Sequence, residues 1–105
     1  MATHEVKIKI GKRNRFTYDK PRLLVGRGDT IKWKLKNNLP YGIIIKAAIS
    51  PLNWSSKTAT AGKWIAARVR RNAKPGRYLY GVGALRLRRL LFDDPEIIVR
   101  DPSRP

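Results

Sequence analysis

The chain has 105 residues, the size of one small domain, and 42% of them are hydrophobic. It carries 24 Lys and Arg against 7 Asp and Glu, for a formal net charge of +17. A disordered basic tail would combine such charge with low hydrophobicity, so this composition excludes that class. The absence of cysteine excludes disulfides, thiolate catalysis and thiolate metal sites. We expect one domain over residues 1–105, with a frayed tail at 101–105.

The first residues and the apolar stretches of the sequence do not predict secretion or membrane insertion. Residues 1–6 contain no basic start followed by an apolar run, so no secretory signal is predicted. The longest apolar stretches, residues 42–45 and 90–92, are far too short to cross a bilayer. A small domain without disulfides is compatible with a reducing compartment. We therefore expect a cytoplasmic protein with no transmembrane segment.

Alternation of apolar and polar residues with a period of two is the main pattern along the chain. Residues 5–10 read Glu-Val-Lys-Ile-Lys-Ile, and the same alternation returns at Thr30–Lys36 and at Ile65–Arg70. Such alternation predicts strands that have one face on a core and the other in water. Further short strands are predicted at Arg22–Val25, Gly42–Ala47, Arg77–Val82 and Glu96–Arg100.

The connections between these strands are rich in Gly, Pro, Asn and Asp, which are turn-forming residues. No helical pattern exceeds two turns. We expect Leu85–Phe92 to form one turn of helix or an irregular loop. About seven short strands separated by such turns predict an all-β sandwich or small barrel.

Two segments and a final strand carry a resemblance to a known family. Residues 24–33 read Leu-Val-Gly-Arg-Gly-Asp-Thr-Ile-Lys-Trp, and residues 37–43 read Asn-Asn-Leu-Pro-Tyr-Gly-Ile. Residues 75–82 read Pro-Gly-Arg-Tyr-Leu-Tyr-Gly-Val, and residues 97–99 complete the pattern. The order resembles that of the cupredoxins, the small copper proteins typified by plastocyanin. The resemblance implies a Greek-key β-sandwich of about seven to eight strands, with at most one short helical turn.

The copper ligands that this resemblance would imply are missing. Tyr41 stands where the family has its first His, and Val82 stands where it has its Cys. Blue-copper sites need two imidazoles and a thiolate, and this chain has one His and no Cys. We therefore predict no metal and no cofactor. We expect Tyr41, Val82 and Leu85 to fill the vacated pocket, with reuse for a small ligand left open, and His4 to be an ordinary terminal residue.

The positive charge is concentrated in one part of the sequence. Between Thr30 and Phe92 there is no Asp or Glu, whereas 14 Lys and Arg fall there. Self-repulsion within such a block opposes compaction. A folded domain that keeps this block is predicted to bind a polyanion.

The resemblance also implies where these charges lie. In the cupredoxin topology, the strands that correspond to residues 6–10, 30–36 and 65–70 are neighbours in one sheet, so their outward cations share a face. Basic loops at residues 11–15 and 86–89 flank them. Arginine's planar fork suits phosphate oxygens, whereas lysine acts more as a point charge. The predicted nucleic-acid-binding residues are Lys7, Lys9, Lys12, Arg13, Arg15, Lys32, Lys34, Lys36, Arg68, Arg70, Arg86, Arg88 and Arg89.

Aromatic residues add a second expectation. Trp33 and Tyr78 occupy inward positions and are predicted to be core residues. Trp54, Trp64 and Tyr41 lie in or beside loops, where each would either stack on a base of single-stranded nucleic acid or fold back over the sandwich. Trp54 is the first candidate for exposure and stacking.

No residue pattern predicts catalysis. Asp93 and Asp94 are adjacent and point apart on an extended chain, and no His lies near a Ser or Asp in a triad-like arrangement. We therefore predict that the protein is not an enzyme.

The sequence predicts a metal-free basic β-sandwich that binds DNA or RNA through phosphates with low sequence specificity, because no recognition helix is present. Three alternatives stay open: a module or assembly subunit that docks an acidic protein surface, adhesion to anionic lipid or polysaccharide, and a basic surface that only keeps the protein soluble.

Overall fold

The computed structural model describes residues 1–101, which form two packed β-sheets and one short 3-10 turn, Lys12–Asn14. No helix within these residues is long and apolar enough to span a membrane. The strands, in chain order, are β1 (Thr3–Ile10), β2 (Phe16–Tyr18), β3 (Arg22–Val25), β4 (Thr30–Leu35), β5 (Tyr41–Ile45), β6 (Ser56–Ala59), β7 (Trp64–Arg68), β8 (Gly76–Arg86), β9 (Arg89–Asp93) and β10 (Glu96–Val99).

All seven predicted strands are present, and the all-β sandwich is confirmed. Three further strands, β2, β6 and β9, raise the number within residues 1–101 to ten. The expectation of a helical turn or loop at residues 85–92 is wrong. This segment is a hairpin in which the end of β8 pairs with β9, so that Leu85 lies opposite Leu90. The expected frayed tail lies outside the described residues, except for Asp101.

The sheet order places the predicted basic strands side by side. The first sheet has the order β2-β1-β4-β7, with β1 parallel to β4 and β7 antiparallel to β4. The second sheet has the order β3-β10-β8-β5-β6, and β9 pairs with the C-terminal part of β8. The expected neighbourhood of residues 6–10, 30–36 and 65–70 in one sheet is therefore confirmed.

The core lies between the two sheets and contains the inward residue of each alternating pair. Trp33 and Tyr80 are its largest fully buried side chains. The Trp33 indole N–H donates a hydrogen bond to the Tyr80 hydroxyl at 3.2 Å, so the polar atoms of both rings are satisfied inside the core. Trp33 is a core residue as predicted, and Tyr78 is half-buried against the core.

Asp29 fastens the start of β1 to the turn before β4. Its carboxylate accepts hydrogen bonds from the backbone amides of Ala2 and Gly26, at 2.9 and 2.8 Å, and lies 2.8 Å from His4 Nε2. Burial opposes ionisation of this carboxyl, but the hydrogen bonds from Ala2, His4 and Gly26 outweigh it and lower the pKa of Asp29. His4 is thus part of this anchor and not a free terminal side chain.

Candidate polyanion-binding face

The outer surface of the first sheet carries lysines from two adjacent strands. Val6 and Ile8 point into the core, so Lys7 and Lys9 of β1 point outward. In β4, Lys32 and Lys34 occupy the outward positions in the same way. We call the outward cations within the strands the basic face: Lys7, Lys9, Lys32, Lys34 and Arg68.

Strand register brings like charges into direct opposition on this face. Lys7 of β1 lies directly opposite Lys34 of β4. Like charges at such positions are destabilising, and neighbouring strands lie only about 4.8 Å apart. One carboxylate, Glu5 of β1, also points outward on this sheet. It lies opposite Lys32 but forms no ion pair with any described residue. The face therefore keeps its positive charge.

Strand β7 completes one side of the face, and two of the predicted cations lie at its margins. Arg68 pairs with Thr30 at the end of β4. Arg70 lies beyond β7, where its backbone amide donates to the Pro51 carbonyl at 2.8 Å. Lys36 lies beyond β4, and its amide donates to the Ile8 carbonyl at 2.7 Å. Lys36 and Arg70 therefore extend the face from positions outside the paired strands.

The other predicted cations gather at the end of the sandwich where β1 finishes; we call this set the basic end. The turn after β1 borders a surface cavity of about 500 Å³, lined by Gly11, Lys12, Arg13, Arg15 and Thr17. Thr17 pairs with Lys9, so this cavity adjoins the basic face. The residues of the basic end are Lys12, Arg13, Arg15, Arg86, Arg88 and Arg89.

The β8–β9 hairpin supplies three arginines of the basic end. Arg86 and Arg89 lie directly opposite each other, with Leu87 and Arg88 between them. The Arg86 Nη1 atom donates to the Asn14 side-chain oxygen at 3.2 Å, which joins the hairpin to the turn after β1. The two basic loops that are far apart in the sequence are therefore in contact.

Three carboxylates, Asp29, Asp94 and Glu96, form ion pairs away from these cations. Two others lie beside the basic face: Glu5 is opposite Lys32, and Asp19 accepts a hydrogen bond from the Lys7 amide at 2.8 Å. Asp29 pairs with His4, Asp94 with Lys46, and Glu96 with both Arg22 and Arg77. The Arg77 and Arg22 guanidinium groups lower the pKa of Glu96. None of the thirteen predicted cations takes part in the four ion pairs within residues 1–101.

Two tryptophans differ from the expectation. Trp54 is half-buried: its ring packs against Trp33 with centroids 5.9 Å apart, and its indole N–H donates to the Ala66 carbonyl at 2.8 Å. Trp64 is 37% exposed and lies on the outer side of β7. The ammonium groups of Lys32 and Lys34 lie 5.2 and 5.4 Å from its ring centroid, within cation–π distance. The ranking of Trp54 first for exposure is wrong, because Trp64 is the more exposed ring.

Comparison with known proteins gives structural likeness without sequence likeness. No family model matches the chain, and no curated protein matches it. A purple cupredoxin from Nitrosopumilus maritimus superposes with a TM-score of 0.62 at 14% identity, over 92% of this chain and 99% of that one. A pseudoazurin from Sinorhizobium superposes with a TM-score of 0.57 at 15% identity, over 98% of this chain and 77% of that one.

The chain has the cupredoxin fold. A copper-containing nitrite reductase from Thermus scotoductus shares it, with a TM-score of 0.62 and 13% identity, over 93% of this chain and 23% of that longer one. Identities this low show the fold alone.

The positions where the cupredoxin resemblance places copper ligands do not fit copper. Tyr41 and Val82 are buried in the core. The Tyr41 hydroxyl lies 3.0 and 2.6 Å from the Trp33 and Lys63 carbonyl oxygens and donates to one of them at a time. Burial raises the pKa of Tyr41, so it stays a neutral phenol. Residues 1–101 contain no group of three His, Cys, Asp or Glu that could hold a metal ion.

The expected filling of this region is correct for two of its three residues. Tyr41 and Val82 pack inside, whereas Leu85 is 46% exposed on the outer side of the second sheet. Leu85 points outward because the alternation along β8 continues through Ala84 into the hairpin, which sequence reasoning had not predicted.

Proposed function

We propose that the protein binds nucleic acid, DNA or RNA, through phosphate contacts made by the basic face and the basic end. The observation that carries this proposal is the separation of charge. The predicted cations take part in none of the four ion pairs found within residues 1–101, while the carboxylates of Asp29, Asp94 and Glu96 form those pairs elsewhere. A surface that served only solubility would interleave both signs.

The spacing of the cations supports phosphate contact by several side chains at once. Same-face residues along a strand lie about 7 Å apart, and adjacent strands about 4.8 Å apart. Neighbouring cations therefore lie within the Debye length of about 8 Å at physiological salt, and their fields add. A polyanion relieves this repulsion and releases its own counterions on binding.

The same surface offers little means of reading sequence. Base edges in a duplex are read by a helix or a β-ribbon that enters a groove, whereas the basic face is a broad sheet with lysines, one arginine and one tryptophan. Contacts to phosphates fix position without distinguishing bases. We therefore expect similar affinities for unrelated sequences of equal length.

Charge reversal on the basic face tests the proposal. We expect the quadruple variant Lys7→Glu, Lys32→Glu, Lys34→Glu and Arg68→Glu to lose binding to a labelled 20-base DNA or RNA by roughly 100-fold or more in gel-shift titrations. All four side chains project from the outer surface, so the variant should keep its fold, as checked by circular dichroism.

The matched control reverses four other exposed cations: Lys20→Glu, Lys57→Glu, Lys74→Glu and Arg100→Glu. Both variants change the net charge equally. If the basic face is the binding surface, the control should lose much less affinity for nucleic acid than the basic-face variant. Equal losses in the two variants would show that bulk charge alone is responsible. The proposal would be wrong if the basic-face variant gave unchanged gel shifts while the wild-type protein retained an acidic protein from nuclease-treated lysate. That result would indicate a protein partner instead of nucleic acid.

A further inference from the structure

An exposed aromatic ring lies among the cations of the basic face. Trp64 is 37% exposed and lies on the outer side of β7, directly opposite Lys34 of β4. The other two tryptophans differ from it, because Trp33 is fully buried and Trp54 packs against Trp33. Trp64 is therefore the tryptophan whose ring a ligand on this face can reach.

Two ammonium groups converge on this ring. The Nζ atoms of Lys32 and Lys34 lie 5.2 and 5.4 Å from the ring centroid. Neither lysine takes part in the ion pairs found within residues 1–101. An exposed cation–π contact changes an equilibrium constant by only about two- to fivefold, and a charge-assisted hydrogen bond to phosphate is stronger. The ammonium groups can therefore leave the ring for a phosphate.

The surface beside the ring has room for a flat group. Ala66, the next outward residue of β7, is exposed and small, and Arg68 is the outward residue after it. Same-face neighbours lie about 7 Å apart, so about 14 Å separates the backbone at Trp64 from that at Arg68. Stacked bases repeat every ~3.4 Å, which is much less. Strand β7 also ends the order β2-β1-β4-β7, so no further strand of this sheet within residues 1–101 lies beyond the ring.

An aromatic ring beside two cations matches the two parts of a nucleotide. The face of a base stacks on an aromatic side chain, and the adjoining phosphates accept hydrogen bonds from ammonium groups. In a duplex the phosphates are accessible too, but the faces of an internal base are covered by its neighbours in the stack. Exposing such a base requires unpairing and unstacking it. The ring therefore adds affinity for single strands, whereas the cations act on both forms.

We propose that Trp64, Lys32 and Lys34 together form a site for single-stranded nucleic acid. One base stacks on the Trp64 ring, and the two ammonium groups bind the phosphates next to that base. This inference rests on the proposed phosphate-binding function and adds a discrimination between single strands and duplexes. It adds no sequence preference, because every base has a face that can stack.

Fluorescence anisotropy on the full chain tests the proposal with two labelled probes, a 20-base thymidine strand and a 20-base-pair duplex. Trp64→Ala should weaken binding of the single strand about tenfold and binding of the duplex by less than about twofold. Trp64→Phe keeps an aromatic ring and should lose less than about threefold for the single strand. The matched control Phe92→Ala removes a ring that is 68% exposed on the other sheet, and it should change neither affinity by more than about twofold.

Intrinsic tryptophan fluorescence gives a second readout that depends on stacking itself. Because Trp33 is fully buried and Trp54 is half-buried, quenching by a stacked base should come from Trp64. We expect the unlabelled thymidine strand to quench the wild-type protein and the duplex to quench it much less. Trp64→Phe should lose this quenching while it still binds the labelled strand.

The outcomes separate this inference from the proposed function. Equal losses for the single strand and the duplex in folded Trp64→Ala would mean that the ring only holds the two lysines in place, and would overturn the single-strand site while phosphate binding stands. Unchanged single-strand affinity in Trp64→Ala, or quenching that persists in Trp64→Phe, would overturn it as well. Absence of binding to both probes by the wild-type protein would overturn the proposed function and this inference together. Thermal melts establish that each variant is folded.

Discussion

At the scale of single residues, the alternation of inward and outward side chains along a strand explains why Trp64 is exposed and Trp54 is not. Trp64 is on the same face of β7 as Ala66 and Arg68, which is the outer face, and it lies opposite Lys34. Trp54 lies in a connection without alternation and folds against Trp33. Extending the alternation at residues 65–70 back by one residue would have placed Trp64 on the outer face, but the sequence prediction left this residue in or beside a loop. The place of Trp54 depends on tertiary packing, which no local pattern encodes.

This difference predicts opposite effects of two alanine substitutions. Trp64→Ala should weaken binding of a single-stranded oligonucleotide about tenfold, because stacking on an aromatic ring contributes about 1–3 kcal/mol per base. Its melting temperature should change little, since the ring is partly exposed. Trp54→Ala should lower the free energy of unfolding by about 1–3 kcal/mol, because it removes packing and a hydrogen bond, and should leave binding nearly unchanged.

Fluorescence anisotropy measures the affinity of each variant for the oligonucleotide, and thermal melts measure its stability. If Trp54→Ala were the variant that lost affinity while remaining folded, the assignment of Trp64 to the binding surface would be wrong.

At the scale of elements, alternation predicted the strands whose outward residues are polar and missed strands that are short or lack an alternation of apolar and polar residues. Strand β9 contains Leu90, Leu91 and Phe92 in succession, because Leu91 enters the core while its neighbours line a groove on the outer side of the second sheet. A continuous apolar run of this length does not distinguish a strand from a helical turn. Strand β2 has only three residues, and β6 is rich in small polar residues, so neither gave a periodic pattern.

Asp29 connects the start of β1 to the turn before β4, and this role predicts how the free energy of unfolding depends on pH. The folded pKa of Asp29 is lowered from 3.8, so its contribution is fully present above that value and is lost as the pH falls through the lower folded pKa. Asp29→Asn removes the charge that the Ala2 and Gly26 amides bind. We expect it to lower the free energy of unfolding at pH 7 by about 1–3 kcal/mol.

Denaturation curves between pH 7 and pH 2 measure this effect. The difference between wild type and Asp29→Asn should shrink below pH 3.8, since protonation removes the same charge from the wild-type protein. A constant difference across the whole range would mean that the charge of Asp29 does not stabilise the fold.

At the scale of the whole molecule, the two sheets present different outer surfaces. One has cations that form no ion pair within residues 1–101, and the other has an apolar groove with Gly42 and Gly83 on its floor. The basic face could be predicted from alternation together with the strand order that the cupredoxin resemblance implied. The partners of the carboxylates could not, because Asp94 and Lys46, for example, are brought together only by the fold. The groove also required the register that sets Gly42 opposite Gly83.

The salt dependence of binding tests the central claim most directly. If 6–8 cations of the basic face and basic end contact phosphates of a duplex, a plot of log K against log salt concentration should be linear with a slope of about −5 to −7. Fluorescence anisotropy with two unrelated duplexes of equal length measures this slope, and the two should agree. Absence of binding at low salt, or a slope near zero, would contradict a phosphate-binding surface.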